Sequence, residues 1–312
     1  MNTDYADFGG LNMSVVIVNP ASASGSTGEA WPQIASDLRS QFGSFRVLFT
    51  KQRGDAAALA GEAARKGAKL IIACGGDGTV SEVANGILSS GKDVELGVLP
   101  SGTGGDFRRT LEIPSRSRDA ARVLRTGRTV RIDVGRVSFV DDNGAEAMRY
   151  FVGVASCGMS TKVIERVKAD GISFASSMLQ TAMRNEAIRL VVQLDDAHDR
   201  QLTVSNLCIA NARYFGGGMK IAPAAKLTDG KFDVVSVGDL SALKLFTSAP
   251  RVYLGSHLSM PEVSHALARK VIVRPADRSE EVALEIDGEL PGKLPATFQI
   301  IPEALRVRVA AR

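Results

Sequence analysis

Asp77 sits inside Gly75-Gly76-Asp77-Gly78-Thr79, directly after the apolar run Leu70 to Cys74. A buried strand that breaks into glycines before a helix makes an anion site. The bare backbone can approach a phosphate, and the unpaired N–H groups of the first helical turn point at it. Thr79 is placed to cap a helix whose apolar positions are Val80, Val83, Ala84 and Ile87. A carboxylate in such a loop repels phosphate, so Asp77 needs a cation between them or a proton to accept. Taken alone, the segment is a strand-to-helix turn in which glycines supply positive φ and Asp77 caps an amide. Two further carboxylates, Asp133 and Glu289, stand far along the chain. Phosphoryl transfer asks for groups of this kind: positioning, charge neutralisation and a carboxylate to accept the hydroxyl proton.

The elements that must position these residues alternate through the first 130 residues. Met13 to Val18 is a strand ending at Asn19-Pro20 and a small-residue loop, Ala21 to Gly28. Trp31, Ile34, Ala35, Leu38 and Phe42 recur at helical spacing, with Pro32 in the first turn. Phe45 to Phe49 is a second strand, and Asp55 caps an alanine-rich helix ending at Gly67. Leu70 to Cys74 and Leu96 to Leu99 are the third and fourth strands, the latter running into Pro100-Ser101-Gly102-Thr103. Ser117 to Arg125 is a helix closed by Gly127. This grammar predicts an α/β domain with a doubly wound parallel sheet, whose ligands bind beyond the strands' carboxyl ends. The small-residue loops after Val18, Cys74 and Leu99 all fall there.

From about Thr129 strands dominate: Val130 to Val140, Arg149 to Ala155, Ile188 to Leu194, Leu202 to Ala210, Lys231 to Val237, Val271 to Arg274, Val282 to Ile286 and Thr297 to Ile301. Asp141 to Gly144 and Asp195-Asp196 have hairpin-turn chemistry. Helical stretches cover Thr161 to Lys168, Phe174 to Glu186 and Leu240 to Leu254. The expected division is a nucleotide domain over 13–132 with a return at 297–312, and a mainly antiparallel, β-sandwich-like substrate domain over 133–296. The Leu240–Leu254 stretch, with Phe246, Val252, Tyr253 and Leu254, suits either a lipid cleft or ordinary core packing.

Composition excludes several classes. Hydrophobic residues are 45% and charged residues 23% of 312, and no run approaches membrane-spanning length. The N-terminus does not resemble a signal peptide. Cys74, Cys157 and Cys208 are scattered in apolar runs, which argues for buried thiols in a reducing, cytoplasmic compartment. Net charge is only +4, yet Arg108 to Arg136 holds nine arginines against Glu112, Asp119 and Asp133. That run suits phosphates, an anionic membrane or a solvated helix face. A Gly-x-x-x-x-Gly-Lys-Ser/Thr loop and a protein-kinase His-Arg-Asp set are both missing. Gly216-Gly217-Gly218 does not open a helix with an acid beyond, which speaks against dinucleotide binding there. His198, His257 and His265 show no pairing by spacing and are expected at the surface or at helix ends.

Together, Asn19-Pro20-Ala21-Ser22, Gly75 to Thr79, Pro100 to Thr103, Asp133-Val134-Gly135, Gly216 to Gly218 with Ala222-Pro223, Thr228 to Asp233 and Ile286 to Glu289 resemble the diacylglycerol kinase catalytic family, especially its bacterial soluble lipid kinases related to sphingosine kinases. The resemblance spans about Ser14 to Pro302. It implies ATP as donor, a lipid hydroxyl as acceptor and Mg²⁺. It maps the nucleotide site to Asn19, Pro20, Ala21, Ser22, Ala23, Thr50, Gly75, Gly76, Asp77, Gly78, Thr79, Val80, Ser81, Glu82 and Thr103. It maps the proton acceptor to Glu289, and the aspartates near the reacting phosphate and magnesium to Asp77 and Asp133. A separate structural metal, bound partly by main-chain oxygens, maps to Lys226, Asp229 and Lys231. One departure stands out: the family's Gly-Thr-x-Asn-Asp-Phe is here Gly102-Thr103-Gly104-Gly105-Asp106-Phe107, so Gly105 replaces an amide side chain.

The resemblance further implies a cytoplasmic enzyme of phospholipid metabolism that visits the membrane surface to meet its substrate, without nucleic-acid partners. Monomer and homodimer both remain open. An NAD kinase-like enzyme shares Gly-Gly-Asp-Gly-Thr, but the Asp229 segment and Asp287-Gly288-Glu289 speak against it. Gly105 motivates a third alternative, a nucleotide-binding degenerate kinase with a regulatory role.

Overall fold

The computed structural model describes residues 14–102, 104–170 and 187–311. Its contacts divide the chain into two compact units: 1–103, 111–131 and 305–312 form the first, and 104–110 with 132–304 form the second.

The first unit is a parallel sheet. β1 (Ser14–Val18), β2 (Arg46–Phe49), β3 (Leu70–Gly75) and β4 (Glu95–Pro100) stand in the order β2-β1-β3-β4. Strands β1 and β3 are buried throughout, as continuous apolar runs covered on both faces must be. The end of a long last strand, β14 (Glu289–Val309), extends this sheet: Arg306 and Val307 pair in parallel with Glu95 and Leu96. The expected return therefore exists, but residues 297–304 pack in the second unit, because Ala296, Phe298 and Ile300 alternate into its core.

Helix α1 (Ser26–Gln41) starts earlier than its periodicity suggested, so Pro32 lies inside it rather than in the first turn. Helix α2 (Asp55–Arg65) is alanine-rich for a packing reason. It lies against α3 (Asp77–Ser89) so closely that a Cβ at Gly86 would come 2.2 Å from the Ala57 carbonyl oxygen. Asp55 is not the cap of α2. Its carboxylate accepts the N–H groups of Lys51 and Gln52, while both Glu82 oxygens reach from α3 to the N–H groups of Gly54 and Ala56. A short helix α4 (Asp106–Thr110) belongs to the second unit, and α5 (Ser117–Thr126) to the first, burying Ala120, Ala121, Val123 and Leu124 as its pattern predicts.

The second unit is antiparallel. Its strands are β5 (Arg128–Asp141), β6 (Glu146–Phe151), β7 (Val154–Gly158), β8 (Ile188–Leu194), β9 (Arg200–Ala210), β10 (Phe232–Gly238), β11 (Val263–Ala268), β12 (Lys270–Pro275), β13 (Ala283–Ile286) and most of β14. The path β11-β10-β9-β7-β13-β14 carries the sheet, and β12 joins β8 to β14. Both expected hairpin turns are present. Asp141 Oδ1 accepts the N–H groups of Asn143 and Ala145, and Asp195 Oδ1 accepts those of Arg269 and Lys270. Two strand expectations change: the Arg149–Ala155 run splits at Val152-Gly153 into β6 and β7, and β11 carries no apolar alternation that would announce it. The core centres on Phe151, which stacks on Phe232 at 5.5 Å and meets Phe298 edge-on at 6.2 Å. Helices α6 (Met159–Asp170) and α7 (Ala242–Leu254) complete the unit. The expected Phe174–Glu186 helix lies outside the described residues. All three cysteines are buried and free, and burial pushes the Cys74 and Cys157 thiols up to about 12. Among the described residues, no helix is long and apolar enough to cross a membrane.

Candidate active site

Parallel pairing brings the candidate nucleotide loops of the first unit to one edge. The ladder continues past the strands: Thr50 N–H donates to Val18 O, Asn19 N–H to Cys74 O and Ser101 N–H to Gly75 O. Thr50, Asn19, Gly75 and Ser101 thus follow one another along the carboxyl ends of β2, β1, β3 and β4. Side chains tie the loops together. Asn19 Nδ2 donates to Thr79 Oγ1 at 3.2 Å, and Thr27 Oγ1 to Ser101 O at 2.6 Å.

The glycines work here by size, not by φ. None of Gly75, Gly76, Gly78 or Gly102 has a positive φ, which corrects the turn expected from the sequence. Gly76 and Gly102 touch backbone to backbone, where a Cβ on Gly102 would lie 2.6 Å from Gly76 Cα, and Gly75 leaves room for a side chain, since a Cβ on it would lie 2.5 Å from Thr79 Oγ1. Gly78 faces open space, with nothing within 4 Å of its would-be Cβ. The left-handed residues lie in the first loop, where Ala23 and Ser24 have φ of 53° and 56°. An L-residue held there carries roughly 1–2 kcal/mol of local strain. Gly25 N–H to Ala21 O and Ser26 N–H to Ala23 O hold the turn.

Thr79 is not the cap of α3. The helix begins at Asp77 after Gly76, with no side-chain cap at its N-terminus, and Thr79 is buried in the first turn. That geometry leaves the helix dipole and first-turn N–H groups facing the loop edge, a fit for phosphate. Val80 and Ser81 are buried, so their main chain is what can meet a ligand. Glu82 holds the α2 N-terminus. Thr103 lies outside the described residues. Pro20, Ala21, Ser22 and Ala23 are partly or fully exposed in the first loop.

In the second unit, β13 and β14 are joined by Asp287-Gly288, with φ of 48° and 84°, the two positive values of a type I′ turn. Every polar group around this turn is tied down. Asp287 accepts the N–H groups of Val152 at 3.1 Å and Gly153 at 2.9 Å. A Cβ on Gly153 would meet Asp287 Oδ1 at 2.6 Å, so the break between β6 and β7 exists to receive this carboxylate. Buried Glu285 accepts Gly288 N–H at 2.6 Å and the Ser156 hydroxyl. Glu289 follows, half-buried, with Oε2 at 2.7 Å from Arg149 Nη1. Sequence reasoning named Asp287 and Glu289 through the Ile286–Glu289 segment, but assigned no part here to Glu285, Gly153 or Arg149, whose partners are distant in the chain.

Asp133 has a different neighbourhood. It is buried, and its two oxygens accept the N–H groups of Gly230 at 2.7 Å and Glu303 at 2.9 Å. It therefore organises the loop carrying Lys226, Asp229 and Lys231. Asp229 is exposed and accepts Lys231 N–H at 3.2 Å. No group of three or more His, Cys, Asp or Glu suited to a metal occurs among the described residues. Hard cations take six or more oxygens, so one carboxylate here would need main-chain oxygens and water besides.

The glycine triplet is pinned by the segment that departs from the family pattern. Gly216, Gly217 and Gly218 all have positive φ, inside a loop closed by mutual Phe215–Met219 hydrogen bonds. Asp106 accepts Gly217 N–H at 2.8 Å and pairs with Arg109 at 3.0 Å. Gly105 has φ +67°, and a Cβ there would lie 2.6 Å from Arg108 Nε.

An apolar cavity lies wholly in the second unit, between α6, α7 and the loop around Met260. Met159, Leu240, Leu245, Val252 and Met260 line it, with Ser160 and Asn206 as polar members. The space within it that water-sized molecules can reach is about 70 Å³, and it opens to solvent at its mouth. His257 also lines it, which corrects the surface expectation. It is buried with Nε2 at 3.0 Å from Ile221 O, and burial lowers its pKa. His265 is paired too, at 2.7 Å from Asp233.

The first unit is thus a parallel sheet with a loop edge suited to an anion, and the second an antiparallel unit that holds the Glu289 carboxylate. Residues 13–137 match the diacylglycerol kinase catalytic domain, and residues 153–309 the YegS C-terminal NAD kinase beta sandwich-like domain. The chain belongs to the diacylglycerol kinase catalytic family. It is 30% identical over 259 residues to a diacylglycerol kinase of Mycobacterium tuberculosis, covering 81% of each chain. It is 29% identical over 290 residues to one of Staphylococcus haemolyticus, covering 91% of this chain and 84% of that one. The fold matches the crystal structure of a diacylglycerol kinase from Bacillus anthracis with a TM-score of 0.71 at 23% identity, over 95% of this chain and 96% of that one. It also matches yeast NADH kinase complexed with NADH, with a TM-score of 0.51 at 11% identity, over 97% and 84%.

Proposed function

We propose that this chain is an ATP-dependent lipid kinase that phosphorylates the hydroxyl of diacylglycerol or a related lipid. The observation that carries the lipid acceptor is the apolar cavity of the second unit, whose wall includes Leu240, Leu245 and Val252. The donor reading rests on the loop edge of the first unit. The uncapped N-terminus of α3 and the main chain of Gly76 and Gly78 cradle phosphate, while Asn19 through Ala23 and Thr50 surround the nucleotide. Asp77 would hold Mg²⁺ together with the phosphates, and the ion would supply neutralisation of the charge that develops in transfer. Glu289 accepts the acceptor hydroxyl's proton, aimed by Arg149 and by the turn that Asp287 and Glu285 hold. Asp133 supports the reaction through the loop it organises. A hard cation at Lys226, Asp229 and Lys231 would stiffen that same loop. The enzyme works in the cytoplasm at the membrane surface.

Incubating the full chain with labelled ATP, Mg²⁺ and diacylglycerol, phosphatidylglycerol, a sphingoid base or ceramide in mixed micelles, with NAD in parallel, tests this. Label on a lipid supports the reading. Label on NAD alone replaces it with a ribose kinase, and nucleotide binding without transfer with a degenerate kinase.

A further inference from the structure

Helix α7 is apolar on both sides. Leu245, Ser248, Ala249 and Val252 face the cavity, at spacings of three, four and seven residues. Leu243, Pro250 and Leu254, at i, i+7 and i+11, fall on the opposite face and are exposed. Leu254 at 76% and Leu243 at 73% are the most exposed large hydrophobic residues among those described. Tyr253, 42% exposed, flanks them on one side, with Arg251 and Lys244 on the other. The helix carries two basic residues and no acidic one. Lys244 pairs with Glu262, leaving exposed Arg251 as the helix's outward charge.

We propose that the outer face of α7 docks on an anionic bilayer surface, with Leu243 and Leu254 entering the acyl boundary. Two largely exposed leucines, a tyrosine at their edge and flanking positive charge match the layered chemistry of such an interface. Charge argues against a second protein copy as occupant: both charged side chains of the helix are basic, so two copies of this face would bring like charges together, whereas an anionic lipid surface complements them. The proposal deepens the lipid-acceptor reading, but the docking does not rest on it.

The experiment is flotation of the full chain with phosphatidylcholine vesicles, with and without phosphatidylglycerol, alongside Leu243→Gln/Leu254→Gln. Both leucines are exposed and outside the cavity lining, and an unchanged melting temperature confirms folding. Vesicle affinity falls by about tenfold or more in the variant, as expected when two leucines no longer reach the interface. A second measurement uses Leu254→Trp with Trp31→Phe, which removes the chain's single natural tryptophan. Brominated lipids quench the introduced tryptophan if the face is embedded. Parental binding by the double variant, absent quenching, or a dimeric parent that the double variant converts to monomer each overturns the proposal. Short-chain diacylglycerol below its micelle concentration separates the two readings. Vesicle binding through α7 without transfer to this substrate sinks the kinase assignment and leaves docking intact. Equal turnover by parent and variant on it, with loss only on vesicles, supports both.

Discussion

Arg149 Nη1 lies 2.7 Å from Glu289 Oε2, with both side chains mostly buried. The pair points the carboxylate while Asp287 and Glu285 hold the turn beneath it. Glu289→Gln keeps the shape and removes the base. It lowers kcat by roughly 10²–10⁴, the range of general-base effects, while leaving ATP affinity unchanged. Steady-state kinetics with calorimetry check both, and near-parental turnover removes Glu289 from the role.

Asp77 occupies the first turn of α3, where a negative charge also complements the helix dipole. Asp77→Asn therefore has two separable effects. A dipole role alone predicts a loss of roughly 0.3–1 kcal/mol in stability with turnover retained. A metal-and-phosphate role predicts collapse of turnover and loss of the Mg²⁺ enhancement of ATP binding. Calorimetric titration of ATP with and without Mg²⁺ tells them apart.

Gly105 sits at φ +67°, a conformation that asparagine tolerates better than other side chains. Gly105→Asn requires Arg108 to swing aside, since the new Cβ would lie 2.6 Å from its Nε. One restored hydrogen bond is worth roughly 0.5–1.5 kcal/mol, so ATP binds up to about tenfold more tightly. Weaker binding instead shows a site rebuilt around glycine and Arg108.

Arg308 grips Glu95 with two bonds, 2.6 and 2.7 Å, and Thr129 adds a third at 2.7 Å. Burial alone would push the Glu95 pKa up, but these partners bring it below its ordinary 4.5. A depressed carboxyl pKa stabilises the fold above that ordinary value, and the stabilisation is lost as pH falls through the lower, folded-state value. Arg308→Met leaves Glu95 charged and nearly buried, costing about 3 kcal/mol at neutral pH. Thermal melts show the deficit shrinking with acid, first as the variant's Glu95, pushed up by burial, takes up its proton and then, below 4.5, as the parent's carboxylate takes up its own. A deficit independent of pH assigns the loss to packing.

Arg116, Arg118 and Arg122 are exposed on and before α5, whose apolar side is buried. Arg122 lies 3.4 Å from Asp119, so the other two carry more of the outward charge. Each basic residue near an anionic surface contributes roughly 1 kcal/mol, fading within a Debye length. Reversing all three to glutamate weakens binding to phosphatidylglycerol vesicles, and salt weakens the parent in the same way. Unchanged binding leaves α7 as the docking element.

Local pattern made much of this molecule legible. Strand–helix alternation, apolar runs and small-residue loops at strand ends are short-range signals, and they located the parallel sheet and the loops at its carboxyl edge. The hairpins at Asp141 and Asp195 were readable because turn chemistry is set by two or three residues, whereas the Asp287-Gly288 turn before Glu289 emerged only in the structure. Roles that depend on partners distant in sequence were not. Glu82 is a cap for a neighbouring helix, Asp133 binds Glu303 N–H from 170 positions away, and His257 lines an apolar cavity. The loop glycines were read as turn formers, yet Gly76 and Gly102 pass backbone against backbone, and Gly75 makes room for the Thr79 side chain. A sequence states which groups are available. Which donor meets which carboxylate, and which face of α7 meets the outside, is decided only when packing brings separate elements within hydrogen-bond reach.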